Sequence, residues 1–562
     1  MSKILISCAL LFFYTALFAQ FNPESHQIIL QLKGARMSDP ALANHGKTGL
    51  AAADQISQQF GALRVHAMRA GKQDPKCLYT ILFPDNAPLA EILAAYQRLD
   101  KVEYAEIDPF GTTSGISGQV PPQPVLPLAN WQPLTGLSIQ PNDPLYTRQW
   151  GLNNNGSFTL SPAVSGADID MEKAWSYSTG DTNTIVCIMD SGMKLDHPEF
   201  AGRLWVNKNE IPGNGIDDDQ DGYVDDVNGW DFANNDNIPK DDLGHGTNVT
   251  GIIGANGNNN YGYAGINWHC KLMPLKGIDQ NNFGYYSWWA EAITYAVDHG
   301  AKAINLSVGG SSYSPVLGSA ITYALNNNVV CVICMMNGNT SSVFYPAGFP
   351  GVIAVGSTNP NDMRTHPFFW DAQSGSNYGN HISVVAPGNY IYGLNHNSDT
   401  NFDSYWGGTS QATPHVTGLV SLLLAQDPNR TPAQIKTILQ NTAEDKVGFP
   451  MEDLLGWDQY YGYGRINAYQ ALKLQASAIQ EPLLPVRLSI FPNPSTGSFR
   501  IVRISTTPGT CTVLDATGKL VLQTRIDQQT TLELHTTLAP GLYVVKVQTE
   551  EGLEMGRLLI QK

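Results

Sequence analysis

The sequence predicts an α/β protein with a mostly parallel sheet, preceded by a small α+β unit and followed by a small β-sandwich. Three observations lead there. Between residues 141 and 478, short apolar runs alternate with segments carrying apolar residues at helical spacing. From 485 to 562 the pattern becomes apolar–polar alternation between turn signals, the mark of antiparallel strands. Before residue 108, HQIILQL, LAEILAAYQRL and VEYAEIDP mark a strand, an amphipathic helix and a strand running into a turn.

The central pattern is the most informative. TIVCIMD is a buried-type strand, HGTNVTGIIGA opens a helix, and KLMPLKG returns as strand. WWAEAITYAVDHG then leads into AKAINLSVGG, and LGSAITYALNNN into VVCVICMM. Strands interleaved with helices of about ten to fifteen residues form βαβ units, whose parallel sheet is covered on both faces. Such sheets carry their chemistry at the carboxyl ends of the strands.

A formal net charge of -16 argues against a nucleic-acid partner, which requires clustered Lys and Arg. At the start, Lys3 precedes an apolar run from Ile4 to Phe18, and Ala19 offers a small residue for cleavage. That is the layout of a secretory signal peptide over 1–20, with a secreted, extracellular or cell-surface product. Seven cysteines with irregular spacing are no disulfide framework. The C-x-x-C at Cys331 and Cys334 lies in a strand without a second ligand pair, so both read as small buried hydrophobes.

Three segments fall where the chemistry of such a sheet belongs. Asp190 ends the strand TIVCIMD, His245 opens a Gly-flanked helix, and Ser410 follows two glycines at the start of an apolar helix. A serine hydroxyl becomes a nucleophile when an imidazole takes its proton and a carboxylate orients that imidazole. Singly each residue has an ordinary structural explanation. Together, in the order Asp, His, Ser on an α/β pattern, they point to a hydrolase.

IMDSGM, HGTNVTG and GTSQATPHVTG resemble the aspartate, histidine and serine motifs of the subtilisin-like proteases, or subtilases. PNDPLYTRQWGLNN, INLSVGG and FYPAGFPGVIAVGSTN resemble that family's linking segments. The resemblance implies a subtilisin-like three-layer domain over 141–478 and a serine endopeptidase acting on proteins or peptides through an acyl-enzyme. It implies catalytic Asp190, His245 and Ser410, with Asn339, preceded by Gly338, as the oxyanion donor and Asn337 as its competitor. It also implies substrate pairing along Ser307, Val308, Gly309 and Gly310, whose glycines suggest an open primary pocket with a broad or apolar preference. Two positions depart from the family pattern: Asn248, where a second His is usual, and Gln411, where Met is frequent.

Asp217, Asp219 and Asp221 are spaced i, i+2, i+4 before Gly222, with Asp225 at the ninth place. Hard Ca²⁺ takes oxygens from tightly turned loops of this kind, so Asp217, Asp219, Asp221, Tyr223 and Asp225 are the expected ligands of a structural calcium. Residues 21–108 resemble a subtilase propeptide, the chain's own inhibitor and folding aid, joined by a linker at 109–140. After a second linker at 479–484, FPNPSTGSF, DATGKLVL and LAPGLYVVKV resemble the sorting domain that engages type IX secretion machinery. The alternative reading is a non-catalytic adhesion or scaffold protein on a subtilase fold.

Overall fold

The structure, a computed structural model, describes residues 26–34, 40–69, 71–72, 76–120, 138–476, 486–503, 506–515, 519–549 and 553–561. The expected signal peptide (1–20), the linker 479–484 and residues 121–137 of the first linker lie outside the described residues. The chain divides into two units, Met1–Gln475 and Ala476–Lys562.

The centre of the first unit is a seven-stranded sheet, parallel at every pairing. Its order is Val384–Pro387, Ile353–Thr358, Val330–Cys334, Ala303–Leu306, Ile185–Asp190, Lys271–Lys276 and Trp230–Asp231. Side chains alternate between its two faces. Cys187, Met189, Ile304, Leu306, Cys331 and Ile333 pack against the helices Tyr286–Asp298 and Pro315–Asn326. Ala303, Val330, Val332 and Val355 pack against the helix Thr409–Gln426. Val186 and Ile188 meet Val249 and Ile253 of the helix His245–Gly254. Both faces are therefore dry, which is why the strands read as unbroken apolar runs. The result is three layers, helix–sheet–helix.

Ile185–Asp190 is where the winding changes direction, because later strands add on either side of it. Crevices in α/β sheets open at the carboxyl ends beside such a switch point. Asp190 is the last residue of that strand, and Ser307 directly follows its neighbour Ala303–Leu306.

The N-terminal part is a four-stranded antiparallel sheet, ordered Arg64–Met68, Cys77–Leu82, Gln27–Leu32 and Val102–Ile107, with the helices Ala51–Gln59 and Leu89–Gln97. Ile29, Met68 and Leu78 from this sheet join the core of the central domain. Two of its carboxylates meet helix beginnings. Asp108 accepts from Ser287 N at 3.2 Å and from Gln27 Nε2 at 2.7 Å. Glu106 accepts from Ser314 Oγ at 2.9 Å, beside the helix that starts at Pro315. Negative charge is favoured where helical N–H groups have no intrahelical acceptor.

Residues 110–119, read from composition as linker, form two strands instead. Phe110–Thr113 lies between Gly284–Tyr285 and Val308–Gly309, and Ile116–Gln119 pairs with Ser404–Gly407.

The second unit contains a five-stranded sheet and a three-stranded sheet sharing one core. Phe499, Ile501, Cys511, Val513, Val545, Val547 and Leu558 are buried in it, as the alternating sequence requires. Six cysteines among the described residues are buried thiols, Cys331 and Cys334 included.

Candidate active site

Asp190 and His245 are both fully buried, and His245 Nδ1 stands 2.7 Å from Asp190 Oδ1. With the ring proton held on Nδ1 by the carboxylate, Nε2 is left as an acceptor, the state a general base needs. His245 Nε2 has no hydrogen-bond partner among the described residues. Asp241 holds this corner. One of its oxygens accepts from Ser191 Oγ (2.8 Å) and Gly244 N (2.7 Å), the other from Thr247 N (2.8 Å) and Thr247 Oγ1 (2.6 Å). It thereby ties the Asp190 turn to the helix that begins at His245. Sequence reading missed this role because Asp241 is one of many acidic residues in its stretch.

Ser410 is the second residue of the helix Thr409–Gln426, after Gly408 at φ 145. Its Oγ donates to Ser307 O at 3.0 Å, and its carbonyl accepts from Ser307 Oγ at 2.9 Å. No hydrogen bond joins Ser410 to His245 among the described residues. The dipeptide Ser114–Gly115 lies at both. Ser114 Oγ is 2.5 Å from Ser410 Oγ, and Ser114 N donates to Ser410 Oγ at 3.3 Å. A Cβ on Gly115 would fall 2.6 Å from His245 Nε2, so only glycine lets the chain pass so close.

Of the two asparagines the sequence offers for the oxyanion, Asn337 rather than Asn339 reaches the turn that carries Ser410. Asn337 Oδ1 accepts from Thr409 N (2.9 Å) and Thr409 Oγ1 (3.0 Å), which aims its Nδ2 at the Ser114 carbonyl oxygen, to which it donates. Asn339 sits at φ 51, and its side chain instead accepts from Arg364 Nη1 at 3.0 Å.

Val308 and Gly309 pair antiparallel with Thr113 and Thr112. Ser307 braces the Ser410 backbone, and Gly310 pairs with Tyr345 rather than with the 110–113 strand. The two family departures meet each other: Gln411 Nε2 donates to Asn248 Oδ1 at 3.4 Å.

In the acidic loop, Glu210, Asp217 and Asp219 each bring a carboxylate oxygen within 4.8 Å of the others, and Asp219, Asp221 and His299 form a second such group. The three carboxylates of the first group suit a hard divalent cation and fit calcium, whereas in the second His299 Nε2 pairs with Asp221 Oδ2 at 2.9 Å. Asp225 does not belong to these groups. Its oxygens accept from Asn214 N (3.1 Å) and Gly215 N (2.9 Å), holding the preceding turn. Tyr223 sends its ring into the core against Trp230, at 5.0 Å between centroids. The nearness of Glu210 was not legible, because the chain brings it in from outside the D-x-D-x-D-G stretch. The guanidinium of Arg69, from the N-terminal sheet, lies over the Tyr223 ring at 4.4 Å and donates to Asp221 O at 2.7 Å.

The sequence profile of the Subtilase family matches residues 181–464, which span Asp190, His245, Asn337 and Ser410. The chain belongs to the subtilase family. It is 33% identical over 334 residues to thermitase of Thermoactinomyces vulgaris, covering 59% of this chain and 99% of that protein. It is 34% identical to the thermophilic serine proteinase of Bacillus sp. (strain AK1), over 53% of this chain and 64% of that one. With the cell wall-associated protease of Bacillus subtilis (strain 168) it shares 31% identity, over 62% of this chain but 38% of the relative. Among solved structures, fervidolysin from Fervidobacterium pennivorans shares the fold. Its TM-score is 0.57 at 23% identity, over 93% of this chain and 70% of that one. This subtilase is therefore a subtilisin-like serine endopeptidase with protein substrates. A secretion system C-terminal sorting domain matches residues 489–561, so the subtilase is a type IX secretion substrate destined for the extracellular space or cell surface. Among the described residues no helix is long and apolar enough to cross a membrane.

Proposed function

We propose that the chain is made as a zymogen, inhibited by its own residues 26–119, and that its first substrate is the bond between Ser114 and Gly115. One observation carries this reading. The Ser114 carbonyl is held by Asn337, Ser410 Oγ lies against Ser114, and Gly115 covers His245 Nε2. A peptide bond in that position has its nucleophile, its base and its anion pocket around it.

Ser410 Oγ attacks the carbonyl carbon, and His245 Nε2 takes the hydroxyl proton while Asp190 stabilises the resulting imidazolium. Asn337 Nδ2, together with the Ser410 N–H at its helix start, receives the developing oxyanion. His245 then gives its proton to the leaving amine, which for the first cut is that of Gly115. Water, activated by the same imidazole, releases the acyl group. On matured protein, a fluorophosphonate should label Ser410, located by peptide mass mapping. Labelling at another serine, or none, would count against the assignment.

Release of residues 26–114 is coupled to pH. Burial pushes the carboxyl groups of Asp108 and Glu106 up to about 7, although the bonds from Ser287, Gln27 and Ser314 favour their charged forms. In water both would return to about 4. The complex therefore binds more protons than its separated parts. Its grip is complete below about pH 4, weakens as pH rises toward 7, and is level above. Activity should appear at least about tenfold faster at pH 7 than at pH 5, with aliquots assayed at one fixed pH. Asp108→Asn should weaken that dependence, and Asp108→Asn with Glu106→Gln should weaken it further.

Calcium on Glu210, Asp217 and Asp219 would be structural, since the triad needs no metal. Exhaustive chelation should lower the Tm by about 5 °C or more, as expected when a cation bound by the folded state alone is removed. An unchanged melting curve would remove the claim.

A further inference from the structure

We infer that this protease cuts after small side chains (Gly, Ala or Ser) because Met336 closes its primary pocket; the inference rests on the protease reading above and narrows its substrates. Backbone pairing with Val308–Gly309 holds any extended chain, so choice is left to the space around each side chain. The side chain preceding the scissile bond lies between two walls, Val308–Gly309 on one side and Cys334–Met336 on the other. Ser114 Oγ stands 3.7 Å from Cys334 Sγ and 3.4 Å from Thr409 Oγ1. Behind it, Cys334 Sγ is 3.7 Å from Met336 Sδ and 3.6 Å from Val308 O.

The thioether crosses from one wall to the other. A Cβ on Gly309 would fall 2.7 Å from Met336 Sδ and 3.0 Å from its Cγ. Met336 therefore fills the room that the glycine leaves, where the sequence suggested an open pocket of broad or apolar preference. Serine, with one heavy atom beyond Cβ, fits in front of the two sulfurs. Leucine or phenylalanine would have to displace Met336, which is only 9% exposed. Met336 also holds φ 70, a left-handed conformation that a glycine adopts freely and a side chain rarely does. Its side chain is kept there despite the backbone.

A second restriction lies three residues earlier. A Cβ on Gly111 would meet the Gly309 carbonyl and come within 2.5 Å of the Trp289 ring. By contrast Phe110 stacks on Phe283 at 5.1 Å, so an aromatic is accepted one position further out. The favoured substrate is an extended segment with small residues where Gly111 and Ser114 lie.

The test uses the matured enzyme and peptide p-nitroanilides of sequence Phe-Gly-Thr-Thr-X, with X as Ala, Ser, Leu or Phe. A pocket typically discriminates about 10- to 200-fold per misfitting methylene, so kcat/KM for Ala or Ser should exceed that for Phe by about 100-fold or more. Met336→Gly should reduce that ratio by about tenfold or more. In the full chain, Ser114→Phe should stall self-cleavage, and adding Met336→Gly should restore it, a readout that does not need purified variant enzyme. A wild-type preference for Phe or Leu, or an active Met336→Gly with an unchanged ratio and no rescue of Ser114→Phe, would overturn the inference. If no peptide is cut and fluorophosphonate fails to label Ser410, the protease reading falls and takes this inference with it.

Discussion

Replacing Ser410 with alanine should leave the chain intact between Ser114 and Gly115 and lower peptide hydrolysis by about a millionfold, the scale known for the same change in subtilisin. The size follows from how the parts depend on each other. Without the hydroxyl, the Asp190–His245 pair at 2.7 Å has no nucleophile to deprotonate, and Asn337 has no covalent adduct to stabilise. What remains is orientation and a polar pocket. The variant should still fold, because Ser410 Oγ makes a single donor bond to the domain, to Ser307 O at 3.0 Å, and loses no apolar packing. Intact mass should show an uncut chain with its N-terminal unit attached. Self-cleavage by Ser410→Ala at the wild-type rate would mean that another group does the chemistry.

With Asn337 Nδ2 as the proposed oxyanion donor, Asn337→Ala should lower kcat by about 100- to 1000-fold with a much smaller change in KM, because such a donor acts on charge that develops only during the reaction. Asn339→Ala is the matched control. Its side chain serves Arg364 at 3.0 Å, away from Ser410, so it should change stability more than turnover. The comparison is sharp because the two residues are two positions apart on one loop. Reversed effects would restore the assignment that the Gly338–Asn339 pair suggested.

The choice between Asn337 and Asn339 shows where sequence reading runs out. Asp190, His245 and Ser410 stand out as candidates because each ends or begins an element whose pattern is strong: a wholly apolar strand, and two helices entered through glycines. Asn337 and Asn339 lie on an irregular loop, where φ 51 at Asn339 and the Thr409 bonds to Asn337 decide which amide reaches the residue before Ser410. No periodicity encodes that. The strands at 110–119 were hidden for a related reason. They have no core of their own and are held by backbone pairing with Gly284–Tyr285, Val308–Gly309 and Ser404–Gly407, so a Gly, Ser and Thr composition looks like a linker. Met336 reads as one more apolar residue after a buried strand, until the missing Cβ of Gly309 shows what it fills. The C-terminal sandwich, by contrast, needs only the alternation that buries Cys511, Val513, Val545 and Val547.

The most direct measurement is to refold the full chain and follow its first cleavage by intact mass. One initial pair of fragments is expected, ending at Ser114 and beginning at Gly115, and absent from Ser410→Ala. A first cut at any other bond, or the same cut made without Ser410, would contradict the proposed self-cleavage.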